Sequence, residues 1–447
     1  MKTLAAAVQT HLAQQVTTLA TCARIVRRDG VRYALTNHDR DLVVGGITYQ
    51  SVELPITVSA VRSGSDLSVD DSEAEGLITS LITSSDIRAG KLDGATVYLF
   101  RVNWQSPSDG VIGLQGGKIG EIQTAGPIGY KIEFRGLTQQ LQHQFQEVTS
   151  ILCRATLFDS RCKLDPDTYE EFGSIASITD NTQFVVSNSA QGTDASATLT
   201  NPGGETTDLS GWTTTNVTNS AAQAHAGSRS FAIGTGAGSG YQDVSITGAG
   251  PSTSEIDNGL VTIDLKAWVR ASATNLASAL YVEFYDGSSD LVDTTPVAPL
   301  VITPSATWLR RRVIIRVPAT SRTARIYFSK DEGAVVYWDD FSVDFRFGQA
   351  LANLSGDYYD AGQIRFVSGG AEGESIEIRT LDTGTREVEL FLPVGTLAVG
   401  DQFLIYPGCK RRLIEDCKTK FNNIANFRGE HYTPGKDATL AGPESEA

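Results

Sequence analysis

Methionine occurs once in this sequence, at Met1, and aromatic residues make up only 8% of it. Basic side chains are also short: 37 Lys and Arg stand against 52 Asp and Glu, a formal net charge of −15. An average surface of that sign repels nucleic acid and anionic membrane. No apolar run approaches the ~20 residues of a membrane-spanning helix. The first residues lack a charged start followed by an apolar stretch, so no secretory leader is read there. Long helical periodicity is rare as well. Abundant Gly, Ser and Thr, with short alternating apolar segments, predict a mainly β protein of several domains.

Five cysteines are present, and four of them fall into two pairs. Eight residues separate Cys153 from Cys162, seven separate Cys409 from Cys417, and roughly 250 lie between the pairs. Paired zinc ligands in common modules sit closer together. The wider loops suit a bulkier iron–sulfur cluster, which takes one thiolate per iron. Lys163, Arg154, Arg161, Lys410, Arg411, Arg412 and Lys418 crowd the cysteines, and positive charge favours thiolate. Two disulfides, or four inert buried thiols, are the other readings of this spacing, and disulfides require an oxidising compartment. Cys22 reads as a small buried residue.

Turn signals divide the chain. Asp29-Gly30 and Gly45-Gly46 predict two hairpins, Ala23–Asp29 with Val31–Thr36 and Asp41–Val44 with Ile47–Val52. Residues 3–19 carry Leu4, Val8, Leu12, Val16 and Leu19 near helical spacing and predict a short amphipathic helix, with His11 at its surface or cap. Asn37-His38-Asp39 has no nucleophile or second carboxylate motif beside it and reads as structural. The acidic stretch 65–85 reads as a solvated face, and Leu137, Leu141 and Phe145 as a short helix. Residues 1–150 are therefore expected to form an antiparallel barrel or sandwich with small helices at its rim. Short strands near 175–187 and again over 362–406 predict one small barrel, interrupted by an insert of about 200–346. Lys418–Phe427 is expected to form one helix, and 436–447 a polar tail.

The cysteine segments, together with Lys420-Phe-Asn-Asn-Ile-Ala-Asn-Phe-Arg-Gly429 and Pro434-Gly435, resemble the C-terminal half of hub proteins from the tail tips of long-tailed bacteriophages and gene transfer agents. Arg28-Asp-Gly30, Leu35-Thr-Asn-His-Asp-Arg-Asp41, Gly46-Ile-Thr-Tyr49, Ala89-Gly-Lys-Leu-Asp-Gly-Ala95 and Val102-Asn-Trp104 are similar to the N-terminal half of those proteins. The resemblance covers about 1–200 and 345–435. It implies a virion protein, assembled in the host cytoplasm, that forms a ring, most simply a trimer. Such a ring joins the tail tube and distal tail protein to a central fibre protein. It implies hub domains at 1–150 and at 151–199 with 347–435. It also implies a [4Fe-4S] cluster on Cys153, Cys162, Cys409 and Cys417, with zinc as the alternative metal. An acidic lumen would let DNA pass without specific binding.

The insert, 200–346, resembles jelly-roll carbohydrate-binding modules through Asn201-Pro-Gly-Gly-Glu205, Gly211-Trp212, His225-Ala-Gly-Ser-Arg-Ser-Phe231, Lys266-Ala-Trp268-Val, Trp308 and Tyr337-Trp-Asp-Asp-Phe341. That resemblance implies a structural Ca2+ held by Glu205 and Asp340, and host-surface glycan stacking on exposed aromatics. Trp212, Tyr241 and Tyr285 are the candidates; Trp268 and Trp338 are expected in the core. The competing reading is a secreted carbohydrate-binding protein or a glycosidase with an attached module. Against an enzyme, there is no Gly-x-Ser-x-Gly elbow, no His-Glu-x-x-His and no phosphate-binding Gly loop.

Overall fold

The computed structural model describes residues 4–28, 30–51, 57–58, 71–77, 82, 84–125, 129–136, 149–187, 195–273, 275–294, 300–302, 308–331, 333–347, 351 and 357–430. The helix expected around Leu141 and the tail 436–447 lie outside these residues, as does most of the acidic stretch. By contacts the chain divides into two units: residues 1–143 with 190–348 and 372–374, and residues 144–189 with 349–371 and 375–447. The insert and the N-terminal region thus fall in one unit, where Val31 packs against the insert's core.

The N-terminal helix is Ala6–Leu12, shorter than its apolar spacing predicts. It ends because the chain turns into the strand Leu19–Val26. His11 sits at that turn, buried, with its Nε2 accepting from the Thr18 N–H at 3.0 Å. Leu19–Val26 pairs antiparallel with Arg32–Thr36 and with Thr96–Asn103, near the middle of a nine-stranded sheet. Val111–Ala125 and Gly129–Gly136 extend the sheet on one side. On the other side, Leu42–Val44 and Ile47–Ser51 form a hairpin whose turn puts Gly45 at φ 58° and Gly46 at φ 78°. Only glycine takes two successive left-handed positions at little cost, which is why this turn was legible. Alternate side chains bury both faces: Ala23, Ile25, Val97 and Leu99 on one, Cys22, Val44, Tyr49 and Phe100 on the other. Of the barrel or sandwich expected for 1–150, the described residues form a nine-stranded sheet that is not closed. His38 ties its own loop together, its Nδ1 accepting from the Arg40 N–H at 3.1 Å.

In the second unit, Glu171–Ile178, Gln183–Val186, Gln363–Phe366, Ser375–Leu381, Glu387–Leu390 and Gln402–Tyr406 close into a six-stranded barrel. Closure leaves no open edge. Phe184, Phe366 and Phe403 fill it, with ring centroids 5.7–6.2 Å apart. Two strands precede the insert and four follow it, so the insert departs from one barrel connection.

The insert is a sandwich. One sheet carries Val217–Ser220, Ser230–Ile233, Val336–Phe347, Val261–Ala271 and Leu309–Arg316 in that order. The other carries Thr213–Thr215, Gly238–Ser245, Thr323–Lys330, Asn275–Tyr285 and Leu291–Thr294. In Val261–Ala271 the inward set is Ile263, Leu265, Ala267 and Val269, all fully buried. The opposite set, Asp264, Lys266 and Trp268, faces away from that core. The Gly- and Ser-rich start of the insert is therefore folded strand rather than linker.

Candidate metal centre

The cysteine segments contain little regular structure and are fixed by specific hydrogen bonds. The Asp159 carboxylate accepts from the backbone N–H groups of Thr156, Arg161 and Cys162, closing a tight turn that sets Cys162. The Cys153 N–H donates to the Arg411 carbonyl at 2.9 Å, and the Arg428 N–H points at Cys153 Sγ at 3.3 Å. Asn423, buried, donates through Nδ2 to the Cys162 carbonyl at 2.7 Å and lies 3.6 Å from Cys162 Sγ. The Asn423 N–H reaches the Cys417 carbonyl at 2.6 Å. In place of one helix over 418–427, the chain makes a widened turn, Leu413–Lys420, followed by a single tight turn, Ile424–Asn426. The break between them is what lets Asn423 face Cys162.

These bonds bring together residues roughly 250 positions apart in the chain. All five cysteines are free thiols. Burial pushes the Cys417 thiol up to about 12, with further upward contributions from Cys153, Cys409, Cys162 and Asp416. Burial also raises Cys409; the Arg411 N–H partly offsets this, and Asp416, Cys162 and Cys153 add to it. Several of the basic side chains beside the cysteines pair with carboxylates instead. Arg154 pairs with Glu430 at 2.6 Å, Arg412 with Asp416 at 3.2 Å and Lys410 with Asp357 at 3.0 Å. Among the described residues, no three His, Cys, Asp or Glu side chains are gathered closely enough to hold one metal ion.

In the insert, Glu205 accepts from the Ser228 N–H at 2.9 Å and from the Arg229 N–H at 3.1 Å. Burial raises its carboxyl, but these bonds outweigh it and leave the net shift downward. Asp340 Oδ2 lies 2.6 Å from His225 Nδ1. Between them sits Asp339, fully buried and pushed up to about 6, first by burial and then by Asp340 and Glu205. The Asp339 and Asp340 carboxylates meet at Gly203, where an added Cβ would lie 3.1 Å from Asp339 Oδ1 and 3.3 Å from Asp340 Oδ1, while the Glu205 carboxylate lies against Gly227.

Trp212 corrects an expectation. It is 7% exposed and packs among Phe231, Phe328 and Phe341, with Nε1 donating to the Thr200 and Asn201 carbonyls. No ring face is left for a sugar. Trp338 is core as expected, whereas Trp268 lies on the outer face with the His225 ring stacked at 3.9 Å. Tyr241 and Tyr285 occupy the outer face of the second sheet. Cross-strand register places Tyr241 opposite Tyr327, and Tyr327 opposite Tyr281. The Tyr281 and Tyr327 rings stack at 4.8 Å and 3°. The Arg325 guanidinium lies over Tyr241 at 4.4 Å and Tyr285 at 4.6 Å, anchored by Asp243. Burial, then the Glu283 carboxylate, pushes Tyr281 and Tyr285 up to about 12.

Residues 5–165 match the family of the baseplate hub protein N-terminal attachment domain. That match covers a little over a third of the 447 residues. Residues 357–437 match the family of phage conserved hypothetical protein BR0599. Among solved structures, a chain in the virion of a native gene transfer agent particle is similar over nearly the whole length. It shares 19% identity at a TM-score of 0.53, over 98% of this chain and 97% of that one. The family 16 carbohydrate-binding module-2 shares 18% identity at a TM-score of 0.26, over 32% of this chain and 97% of that one. The CBM22-1 xylan-binding domain from Paenibacillus barcinonensis Xyn10C shares 21% at 0.26, over 36% and 99%. No curated protein matches. No described helix is long and apolar enough to cross a membrane.

Sequence reading passed over four of the chain's residues. Asp339 lay inside the quoted Tyr337-Trp-Asp-Asp-Phe341 run, and Asn423 inside Phe421-Asn-Asn-Ile424. Tyr281 and Tyr327 were visible as alternate positions of predicted strands, but only cross-strand register shows them side by side.

Proposed function

We propose that this chain is a tail hub stapled by a [4Fe-4S] cluster on Cys153, Cys162, Cys409 and Cys417. The observation that carries this is the approach of two distant segments, each bearing two free thiols, joined by the Cys153 N–H to the Arg411 carbonyl, the Arg428 N–H to Cys153 Sγ and the Asn423 amide to the Cys162 carbonyl. A single zinc ion needs thiolates about 2.3 Å from one centre. A cubane carries its thiolates at its outer corners, so its ligands stand further apart. Cys153, Cys162, Cys409 and Cys417 would hold the cluster, whose iron would favour their thiolate form, and the N–H groups of Arg428 and Arg411 would donate to the Cys153 and Cys409 sulfurs. The staple closes the 153–162 loop onto the C-terminal segment, and its binding free energy becomes folding free energy.

The hub acts as a trimer that joins the tail tube, through the distal tail protein, to a central fibre protein. Its net charge of −15 favours a lumen that releases passing DNA. Its insert presents Tyr241, Tyr327 and Tyr281 as a contiguous aromatic row for host-surface glycans, with Tyr285 beside it. A structural Ca2+ on the insert would take Glu205 and Asp340 as its acidic ligands and complete its shell with backbone and water oxygens. Native mass spectrometry of anaerobically prepared hub tests the assembly. A trimer mass carrying one cluster per chain is expected. A monomer without added mass at assembly concentrations contradicts both statements.

A further inference from the structure

The N-terminal region holds a cavity that none of these roles uses. The Leu42–Val44 and Ile47–Ser51 hairpin packs against Leu19–Val26, Thr96–Asn103 and Val111–Ala125, leaving about 730 Å³ between them. Val44, Ile47, Tyr49, Leu99 and Phe100 give it apolar walls. Tyr98, 42% exposed, and Val111, 47% exposed, carry that apolar surface out to the mouth. The volume is that of a ligand site, and a space of this size without an occupant forfeits dispersion contacts along its lining.

One cation enters this apolar space. Arg24 lines the cavity, with its guanidinium 4.7 Å from the Tyr98 ring centroid and beside the buried Tyr49 phenol. Its Nε is buried and has no hydrogen-bond partner, and among the described residues no carboxylate pairs with it. A guanidinium fork in such a setting matches a carboxylate. Aromatic contact and an unfilled donor together select an occupant with an apolar body and one negative charge.

We propose that this cleft docks a peptide segment of another tail subunit, seating an apolar or aromatic side chain against Tyr49 and Phe100 and a neighbouring Asp or Glu carboxylate on Arg24. Charge complementarity chooses the acidic residue. The open, apolar mouth chooses an extended chain over an enclosed small molecule, and the region's match to a family described as an attachment domain is consistent with a protein occupant. That the partner belongs to a tail rests on the hub reading; the chemistry of the cleft does not.

Full-length hub is titrated with acetyl-Val-Phe-Glu-Val-amide, its Gln and Lys counterparts, and acetyl-Ala-Ala-Glu-Ala-amide, with wild type, Arg24→Gln and Arg24→Lys compared. Heat-unfolding curves confirm that the variants fold. The Glu peptide should bind about tenfold tighter than the Gln peptide, a difference of about 1.4 kcal/mol. The Lys and Ala-flanked peptides should bind more weakly still. Arg24→Gln should erase the Glu-over-Gln preference while keeping Gln-peptide binding, and Arg24→Lys should keep part of it. Equal binding of the Glu and Gln peptides, or a preference that survives Arg24→Gln, overturns the proposal. So does hub self-association in sedimentation that Arg24→Gln abolishes, because the occupant would then be a second copy. None of these readouts depends on the cluster, so their failure leaves the metal reading intact.

Discussion

The inserted sandwich and the cysteine segments solve the same problem with opposite means. The sandwich buries Phe231, Ile263, Phe328, Trp338 and Phe345 completely in one continuous core. Each such side chain contributes about 1.5–3 kcal/mol relative to exposure. Around the cysteines, the buried apolar cluster consists of Cys153, Ala155 and Cys162, with Leu157, Leu164 and Phe427 only partly covered. Three small residues cannot offset the ordering of two irregular segments. Their geometry is held by N–H groups, the Asp159 turn and the Arg154–Glu430 pair. The comparison teaches that a region without a core needs a crosslink, whereas a region with one tolerates polar strands and a Gly- and Ser-rich start.

The largest effect should come from taking the crosslink away. Cys417→Ser, or iron removal by a chelator, should lower the heat transition of the second unit by about 10 °C or more, at 2–4 °C per kcal/mol. The sandwich transition should stay in place. Calorimetry resolves the two, and a shared drop would mean that the staple supports the whole chain.

Next comes the sandwich's own weak point. Asp264, fully buried, receives Arg312 at 2.7 Å, Arg346 at 2.9 Å and Lys266 at 3.4 Å. Asp264→Asn removes the buried charge these three cations share and should cost about 3–5 kcal/mol in the sandwich while sparing metal content. Burial raises the Asp264 carboxyl, but the Arg312, Lys266 and Arg346 charges outweigh it and hold the value below the usual range. A depressed folded value stabilises above the unfolded value of about 3.9 and is lost as pH falls below it. Wild-type sandwich should therefore weaken in acid below that value, and the part of the slope due to this group should vanish in Asp264→Asn.

Three further effects sharpen the account of the insert. Tyr327→Ala, in the middle of the aromatic row, should weaken binding on a glycan array by about tenfold without moving the heat transition. Trp212→Ala should instead unfold the sandwich, costing about 3–5 kcal/mol, because that ring is core. Calcium at ten times its dissociation constant should add about 1.4 kcal/mol to the sandwich, and Asp340→Asn should abolish that gain.

Local signals carried much of the fold. Gly45-Gly46 announced its hairpin, and short alternating runs located the barrel strands to within about two residues of Gln363–Phe366 and Gln402–Tyr406. What stayed hidden depends on partners distant in sequence. Trp212 was a candidate sugar platform through the resemblance to carbohydrate-binding modules, yet the Thr200 and Asn201 carbonyls draw it inward. The Leu4-to-Leu19 spacing looked helical throughout, but its last residue pairs as strand with Asn103. Arg154, Arg412 and Lys410 looked like thiolate partners, but Glu430, Asp416 and Asp357 pair with them.

The most direct test is an anaerobic preparation examined by visible absorption with iron, sulfide and zinc analysis, repeated on Cys409→Ser. The account predicts a brown protein with about four irons and four sulfides per chain, lost in the variant. Colourless protein with neither iron nor sulfide, whether the thiols are free, disulfide-bonded or zinc-bound, would contradict it.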